Sequence, residues 1–189
     1  MLFGLFRFAT LLNDKYKDVY VTNTQFYELA NAKKGVGRVV KKIKESKPKI
    51  LIVPIHISAV HWTCGVVDFD QKKTFLYDSL PNTSNYDEHE FNTFVNETLL
   101  GLKNTDKTNP KTLKELLDID DDATFQSVNT ETFDYPKQEG NNDCGMFVIR
   151  YMDYLSRGVV PQKNVFDQSN IEYFRYRTAY ELLRSMLME

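Results

Sequence analysis

The stretch "KILIVPIHISAVHWTCGVVDFDQKKTFLYDSL", residues 49–80, decides the fold. It contains three runs of aliphatic, β-branched and aromatic residues, 49–55, 61–69 and 73–80, parted by short joints. Runs of that length and composition predict strands. The joint "DFDQKK" is short enough for a hairpin turn, so the second and third runs should pair antiparallel.

Outward from this centre the pattern turns helical. Upstream, "TNTQFYELANAKK" and "GVGRVVKKIKE" read as short helices, the second with an apolar stripe of Val36, Val39, Val40 and Ile43. Downstream, residues 87–102 carry acids in their first turn and Phe91, Phe94, Val95 and Leu99 at helical spacing, which predicts one amphipathic helix. "DATFQSVNTETF" alternates like a strand. A helix should begin near Asp143, with Met146, Phe147, Ile149, Met152 and Leu155 buried. The last helix is expected to start at a Ser169/Glu172 capping box and to bury Ile171, Phe174, Leu182, Leu183 and Leu187. The sum is an α+β fold, a central, mainly antiparallel β-sheet flanked by helices. With no repeat, low-complexity tract or Pro/Gly-rich linker, residues 1–189 are read as a single domain.

The opening "MLFGLFRFATLL" is apolar but interrupted by Arg7, lacks a small-residue cleavage site, and falls short of the roughly 20 residues a span requires. It is read as a buried helix, and no membrane association is expected. Lys and Arg number 24 against 26 Asp and Glu, a net charge of −2, which argues against a general nucleic-acid binder. Charge is locally uneven: residues 33–49 are strongly basic, and 118–122 read "DIDDD". The basic run is either a solvated helix face or a docking face for an acidic partner. Two cysteines, Cys64 and Cys144, form no disulfide framework and lack zinc-site spacing, so no metal is expected and a reducing compartment, cytoplasm or nucleus, is the simplest setting.

The chemistry concentrates around Cys144. A thiol at the first turn of a helix meets unpaired N–H groups and the positive end of the macrodipole, both of which favour thiolate. Asp143 before it is a natural N-cap, and Gly145 after it leaves the backbone open to a substrate. Cys64 lies inside an apolar strand and is read as inert core. Of three histidines, His89 follows acids on an exposed helix, whereas His56 ends the first strand and His61 begins the second. Asp78 distinguishes the last two: it ends the third strand 17 residues after His61, as a short hairpin requires if the two are to meet. There it can hold the imidazole tautomer and stabilise its charged form. Gln138 stands six residues before Cys144 across a turn of Gly140, Asn141 and Asn142, where its amide can donate to an oxyanion. Together the four residues make a coherent acyl-transfer site.

"HWTCGVVDFDQKKTFLYDSL" followed by "PKQEGNNDCGMFV" resembles the ubiquitin-like-protein-specific cysteine proteases, the Ulp or sentrin-specific protease family. The pattern is His-Trp opening a strand, Asp-Ser-Leu closing the next, then Gln, a four-residue turn and Asp-Cys-Gly. Similarity extends over residues 20–187. The resemblance implies the papain-like superfamily fold with the nucleophile at a helix N-terminus and one Ulp-type catalytic domain. It implies Cys144 as nucleophile, His61 as general base, Asp78 as its orienting partner and Gln138 as oxyanion donor. Trp62 would roof a groove for the Gly-Gly tail of a ubiquitin-like modifier, with Asn142 and Gly145 also on the substrate path. The family's "WLND"-type motif supplies a second tryptophan to that groove; here Trp62 is the only one, and the first helix resembles the segment after that motif, so either the sequence starts late relative to the motif or Phe3 or Phe6 substitutes.

The function so implied is a thiol isopeptidase cleaving after the Gly-Gly of SUMO, in processing or deconjugation, as a monomer without cofactor. Ubiquitin or the neddylation modifier are alternative substrates, and a catalytically silent binding module is the alternative of another class. Bacterial effector acetyltransferases share the order of histidine, acid and cysteine, but Asp78 and the short chain speak against them. Delivery of the chain into a host cytosol as an effector also fits its compactness.

Overall fold

A computed structural model describes residues 2–81, 86–104, 106 and 108–187, with no side-chain description for Leu2, Phe3, Met186 and Leu187. Helix α1 (Leu2–Lys15) leads to strand β1 (Val19–Val21), then α2 (Phe26–Asn31) and α3 (Gly37–Ser46). The quoted stretch forms β2 (Ile50–Ile57), β3 (His61–Asp68) and β4 (Lys73–Tyr77), followed by α4 (Glu88–Thr93), α5 (Leu113–Leu116) and β5 (Gln126–Ser127). Helices α6 (Cys144–Ser156) and α7 (Ile171–Leu187) complete the order.

The sheet runs β1-β2-β3-β4-β5; its two inner pairings are antiparallel and the two outer ones parallel. Side chains alternate across β3. Trp62, Cys64 and Val66 enter a core shared with α1, α6 and α7, while Val67 on the other face joins Leu51, Val53, Ile55 and the residues of α2 to α5. That period of two is what the sheet pleat dictates, and it explains why β3 is buried on both faces. Helix α1 is buried as expected through Leu5, Phe8, Ala9 and Leu12. Its Asn13 secures β1, accepting from the Val21 N–H at 2.6 Å and donating to the Val21 carbonyl at 2.8 Å.

Gly65 marks where α4 touches the sheet. A Cβ there would lie 2.4 Å from two ring atoms of fully buried Phe91. Gly65→Ala is therefore expected to destabilise the protein by about 2 kcal/mol, read as a lowered urea midpoint with unchanged slope.

Several expectations need correction. Strand β2 runs on to Ile57, so His56 lies within it rather than at its end; the strand of 73–80 stops at Tyr77, leaving Asp78 just beyond. The helix expected over 87–102 ends at Thr93, continues as a π-turn (Phe94–Thr98) and finishes as a 3-10 turn (Leu99–Gly101). Asn92 and Asn96 on this segment donate to the Phe125 carbonyl at 2.8 and 3.0 Å, and Asn96 accepts from the Phe125 N–H at 2.8 Å. The wider turn accommodates this docking while Phe94, Val95 and Leu99 stay buried. The strand expected over 122–133 reduces to Gln126–Ser127, after which Asn129 caps a 3-10 turn and Thr130 Oγ1 donates to the Leu76 carbonyl at 2.6 Å. A side-chain hydroxyl has taken over from the backbone ladder.

The capping box at the last helix is Asp167 with Asn170, around a 3-10 turn of Gln168–Asn170, not Ser169 with Glu172; Asp167 has already taken the Ser169 N–H, at 2.8 Å. Leu183 is 60% exposed rather than buried, and Leu187 lies outside the described side chains. Strand β1 and helix α5 were not expected, being too short to show a period. The basic and acidic runs meet at the surface: Lys47 pairs with Asp118 at 3.8 Å, and Lys41 and Lys42 with Glu45. Such exposed pairs contribute little and suit a solvated face. No helix among the described residues is long and apolar enough to cross a membrane.

Candidate active site

The β3/β4 register is the first determinant. Cys64 pairs with Tyr77, so continuing the ladder by one residue sets Asp78 on the diagonal from His61, within side-chain reach. His61 Nε2 and Asp78 Oδ1 are 2.6 Å apart, and both residues are buried. Asp78 is itself held: its Oδ1 also accepts the Leu80 N–H at 2.8 Å, and the Tyr135 hydroxyl lies 3.0 Å from its carbonyl oxygen. With Nε2 committed to the carboxylate, Nδ1 is the ring nitrogen left to face a reacting group.

Helix α6 supplies that group. It packs on β3 and begins at Cys144, which is buried to 5% exposure and interacts electrostatically with His61. Burial alone would raise the thiol pKa. The His61 hydrogen bond, the backbone N–H groups of Trp62 and Gly145, and the imidazolium charge outweigh it, so the pKa is lowered. His61 responds in the opposite sense. Burial would lower it, but the bond to Asp78, the bond to Cys144 and their negative charges raise it to about 9. The two shifts are coupled, each group favouring the charged form of the other. Cys64 is the contrast: enclosed in β3, its thiol is pushed far up by burial alone.

Gln138 is 6% exposed and oriented by Ser79, whose hydroxyl donates to its Oε1 at 3.0 Å and whose carbonyl accepts its backbone N–H at 2.8 Å. With the oxygen so occupied, the amide nitrogen points into the 139–143 loop, where it donates to the Gly140 carbonyl. A second N–H on that nitrogen is available chemically for an anion. The structure thus brings His61, Asp78 and Cys144 together and anchors Gln138 at the base of the loop before Cys144.

The remaining expected positions divide. Trp62 is 4% exposed and stacks on His56 with ring centres 4.1 Å apart and an 8° tilt, so His56 serves as a platform for the indole. Gly145 is buried with its N–H on the sulfur, whereas Asn142 is exposed and accepts from Arg175 Nη2 at 3.3 Å through its carbonyl. His89 is exposed on α4, as read. Phe6 is 47% exposed on α1, and the Phe3 side chain lies outside those described. Asp143 occupies the N-cap position but makes no capping bond; its carboxylate instead meets Arg175 and Gln168. Sequence reasoning missed Ser79, Tyr135, Gln168 and Arg175. Only Ser79 carried a signal, through its place in "DSL". Among the described residues no group of three or more His, Cys, Asp or Glu is arranged to hold a metal ion.

Such an arrangement can attack an electrophilic carbonyl, hold the resulting oxyanion with N–H donors, and protonate a leaving amine. Comparison with known proteins points the same way. The family model "Ulp1 protease family, C-terminal catalytic domain" matches residues 6–187. A sentrin-specific protease of Caenorhabditis elegans is 29% identical over 93% of this chain and 23% of its own length. A putative ubiquitin-like-specific protease 1B of Arabidopsis thaliana is 33% identical over 90% of this chain and 47% of its own. The chain therefore spans about a quarter to a half of these relatives. Among solved structures, the SUMO protease Ulp1 with its catalytic cysteine oxidised to a sulfenic acid superposes with a TM-score of 0.75 at 22% identity, covering 97% of this chain and 77% of that one. The Ulp1 protease domain in complex with Smt3, the yeast ortholog of SUMO, gives 0.73 at 22% identity, over 97% of this chain and 76% of that one.

Proposed function

The chain belongs to the Ulp1 protease family, and from that premise we propose that it is a cysteine isopeptidase that cleaves after the C-terminal Gly-Gly of a ubiquitin-like modifier, SUMO first among them. The observation that carries this reading is the buried His61–Asp78 contact of 2.6 Å at the N-terminus of the helix that begins with Cys144, whose thiol pKa His61 lowers. The preference for SUMO rests on the relatives' names and on the Smt3 complex of a protein with the same fold.

In the proposed reaction the Cys144 thiolate attacks the carbonyl carbon of the terminal glycine. The oxyanion is held by the Gln138 amide and backbone N–H groups at the start of α6. The C–N bond breaks as His61 gives its proton to the departing lysine amine, leaving a thioester. Water then attacks the thioester with His61 as base, the C–S bond breaks, and the thiolate–imidazolium pair returns. Trp62, braced by His56, forms one wall of the groove for the glycine tail, and binding energy from the folded modifier positions the carbonyl. No cofactor enters, the partner is the modifier with its conjugate, and the chain acts as a monomer. Both cysteines are free, and a reducing compartment suits a nucleophile that must stay a thiol.

The test is a panel of SUMO, ubiquitin and neddylation-modifier probes carrying thiol-reactive C-terminal warheads. Covalent labelling of wild type by the SUMO probe, with the others at least tenfold slower, is the expected result. Labelling only by ubiquitin or the neddylation modifier would reassign the substrate, and stoichiometric binding without labelling would make the chain a binding module.

A further inference from the structure

Asp143 poses an electrostatic problem for its neighbour. It sits at the N-cap position of α6 with φ −109° and ψ −4°, and its carboxylate caps nothing. A negative charge one residue before a thiolate disfavours that thiolate, opposing the helix terminus and the His61 imidazolium.

The answer comes from the other side of the loop. Arg175 on α7 meets Asp143 Oδ1 through Nη2, and the same nitrogen donates to the Asn142 carbonyl at 3.3 Å. Gln168, in the turn leading into α7, donates to Asp143 Oδ2 at 2.8 Å and accepts the Glu139 N–H at 3.1 Å. Two side chains from one segment thus hold the loop between Gln138 and Cys144 at residues 139, 142 and 143. The charged groups around the sulfur are then His61 from β3, Asp78 behind it, Asp143 with Arg175 from α7, and exposed Glu139 in the loop.

We propose that Arg175 and Gln168 are positioning residues of the reaction: they clamp the loop joining the oxyanion donor to the nucleophile, and Arg175 cancels the Asp143 charge beside the thiolate. The proposal rests on the reading of Cys144 as nucleophile. It accounts for the lowered pKa of Asp143, which the Arg175 and Gln168 bonds depress against the effect of burial, and for a carboxylate being tolerated next to a group that must be an anion.

The experiment measures alkylation of Cys144 by iodoacetamide against pH, read by mass spectrometry of the Cys144 peptide, alongside kcat and KM on a modifier substrate. The Arg175 side chain is 47% exposed, so its variants should fold, with thermal melts as the check. Arg175→Gln is expected to raise the alkylation midpoint by about 0.5–1 pH unit and to slow the reaction at pH 6.5 about three- to tenfold. Its kcat should fall with KM little changed. Arg175→Lys restores the midpoint, Asp143→Asn lowers it, and Asp143→Asn with Arg175→Gln returns it to near wild type. A midpoint in Arg175→Gln that overlays wild type, or a double variant shifted as far as that single one, overturns the proposal. A wild-type protein that cleaves no modifier while these shifts occur would sink the functional reading and leave the clamp standing.

Discussion

Cys144→Ala is expected to reduce hydrolysis of a modifier conjugate on the order of 10⁶-fold, since no other group can form the thioester and only binding contributions remain. Binding of the modifier should survive, because the proposed function draws its binding energy from the modifier's folded body rather than from the sulfur. The control is Cys64→Ala. That residue is fully buried in β3 with its thiol held protonated by burial, so its loss should cost about 1 kcal/mol of stability and change kcat less than twofold. Single-turnover cleavage and warhead labelling of both variants check this. Labelling that persists in Cys144→Ala and disappears in Cys64→Ala would overturn the assignment of the nucleophile.

Asp78→Asn is the second large effect, a loss in kcat/KM on the order of 10³-fold, because the imidazole loses both its orienting acceptor and the charge that stabilises its protonated form. The pH profile adds a sign. In the wild type the reactive pair exists above the lowered thiol pKa and below the His61 value of about 9, so the rate should rise from the acid side and fall as pH passes through about 9. Asp78 is a main cause of that upward shift of His61. Removing its charge lowers the histidine pKa, weakens the help His61 gives the thiolate, and narrows the bell from both sides. A profile of unchanged width in Asp78→Asn would show that the carboxylate acts on geometry alone.

The site was unusually legible in one dimension. Asp78 could be matched to His61 because a hairpin's length fixes which residues face each other, and Cys144 stood out because the turn-formers before it and the apolar period after it announce a helix start. Asp143 shows where that logic stops. Its residue type and position say N-cap, but Arg175 lies 32 residues further on and competes for the same oxygens. A local rule cannot anticipate a distant guanidinium. The long helix expected over 87–102 failed for the same kind of reason, since Asn92 and Asn96 find the backbone of Phe125. The Ser169/Glu172 box failed differently, losing to Asp167, an equally good local cap two residues earlier.

Sequence alone determined the three central strands, the buried first helix, the helix start at Cys144, and the grouping of His61, Asp78 and Cys144. The strands, the helices and the match of Asp78 to His61 follow from periodicity, turn chemistry and hairpin geometry, which act over a few residues or across one tight turn, whereas Cys144 joined them through its thiol chemistry and the family resemblance. Only the tertiary structure decided that Ser79 orients the Gln138 amide, that Tyr135 backs Asp78, that His56 is a platform under Trp62, and that α7 reaches over to neutralise Asp143. With the exception of the His56 stack, each of those contacts joins residues far apart in the chain. They form only once the sheet and α6 have packed, because hydrogen bonds and charge pairs depend on the final separation of side chains, which no sequence interval encodes.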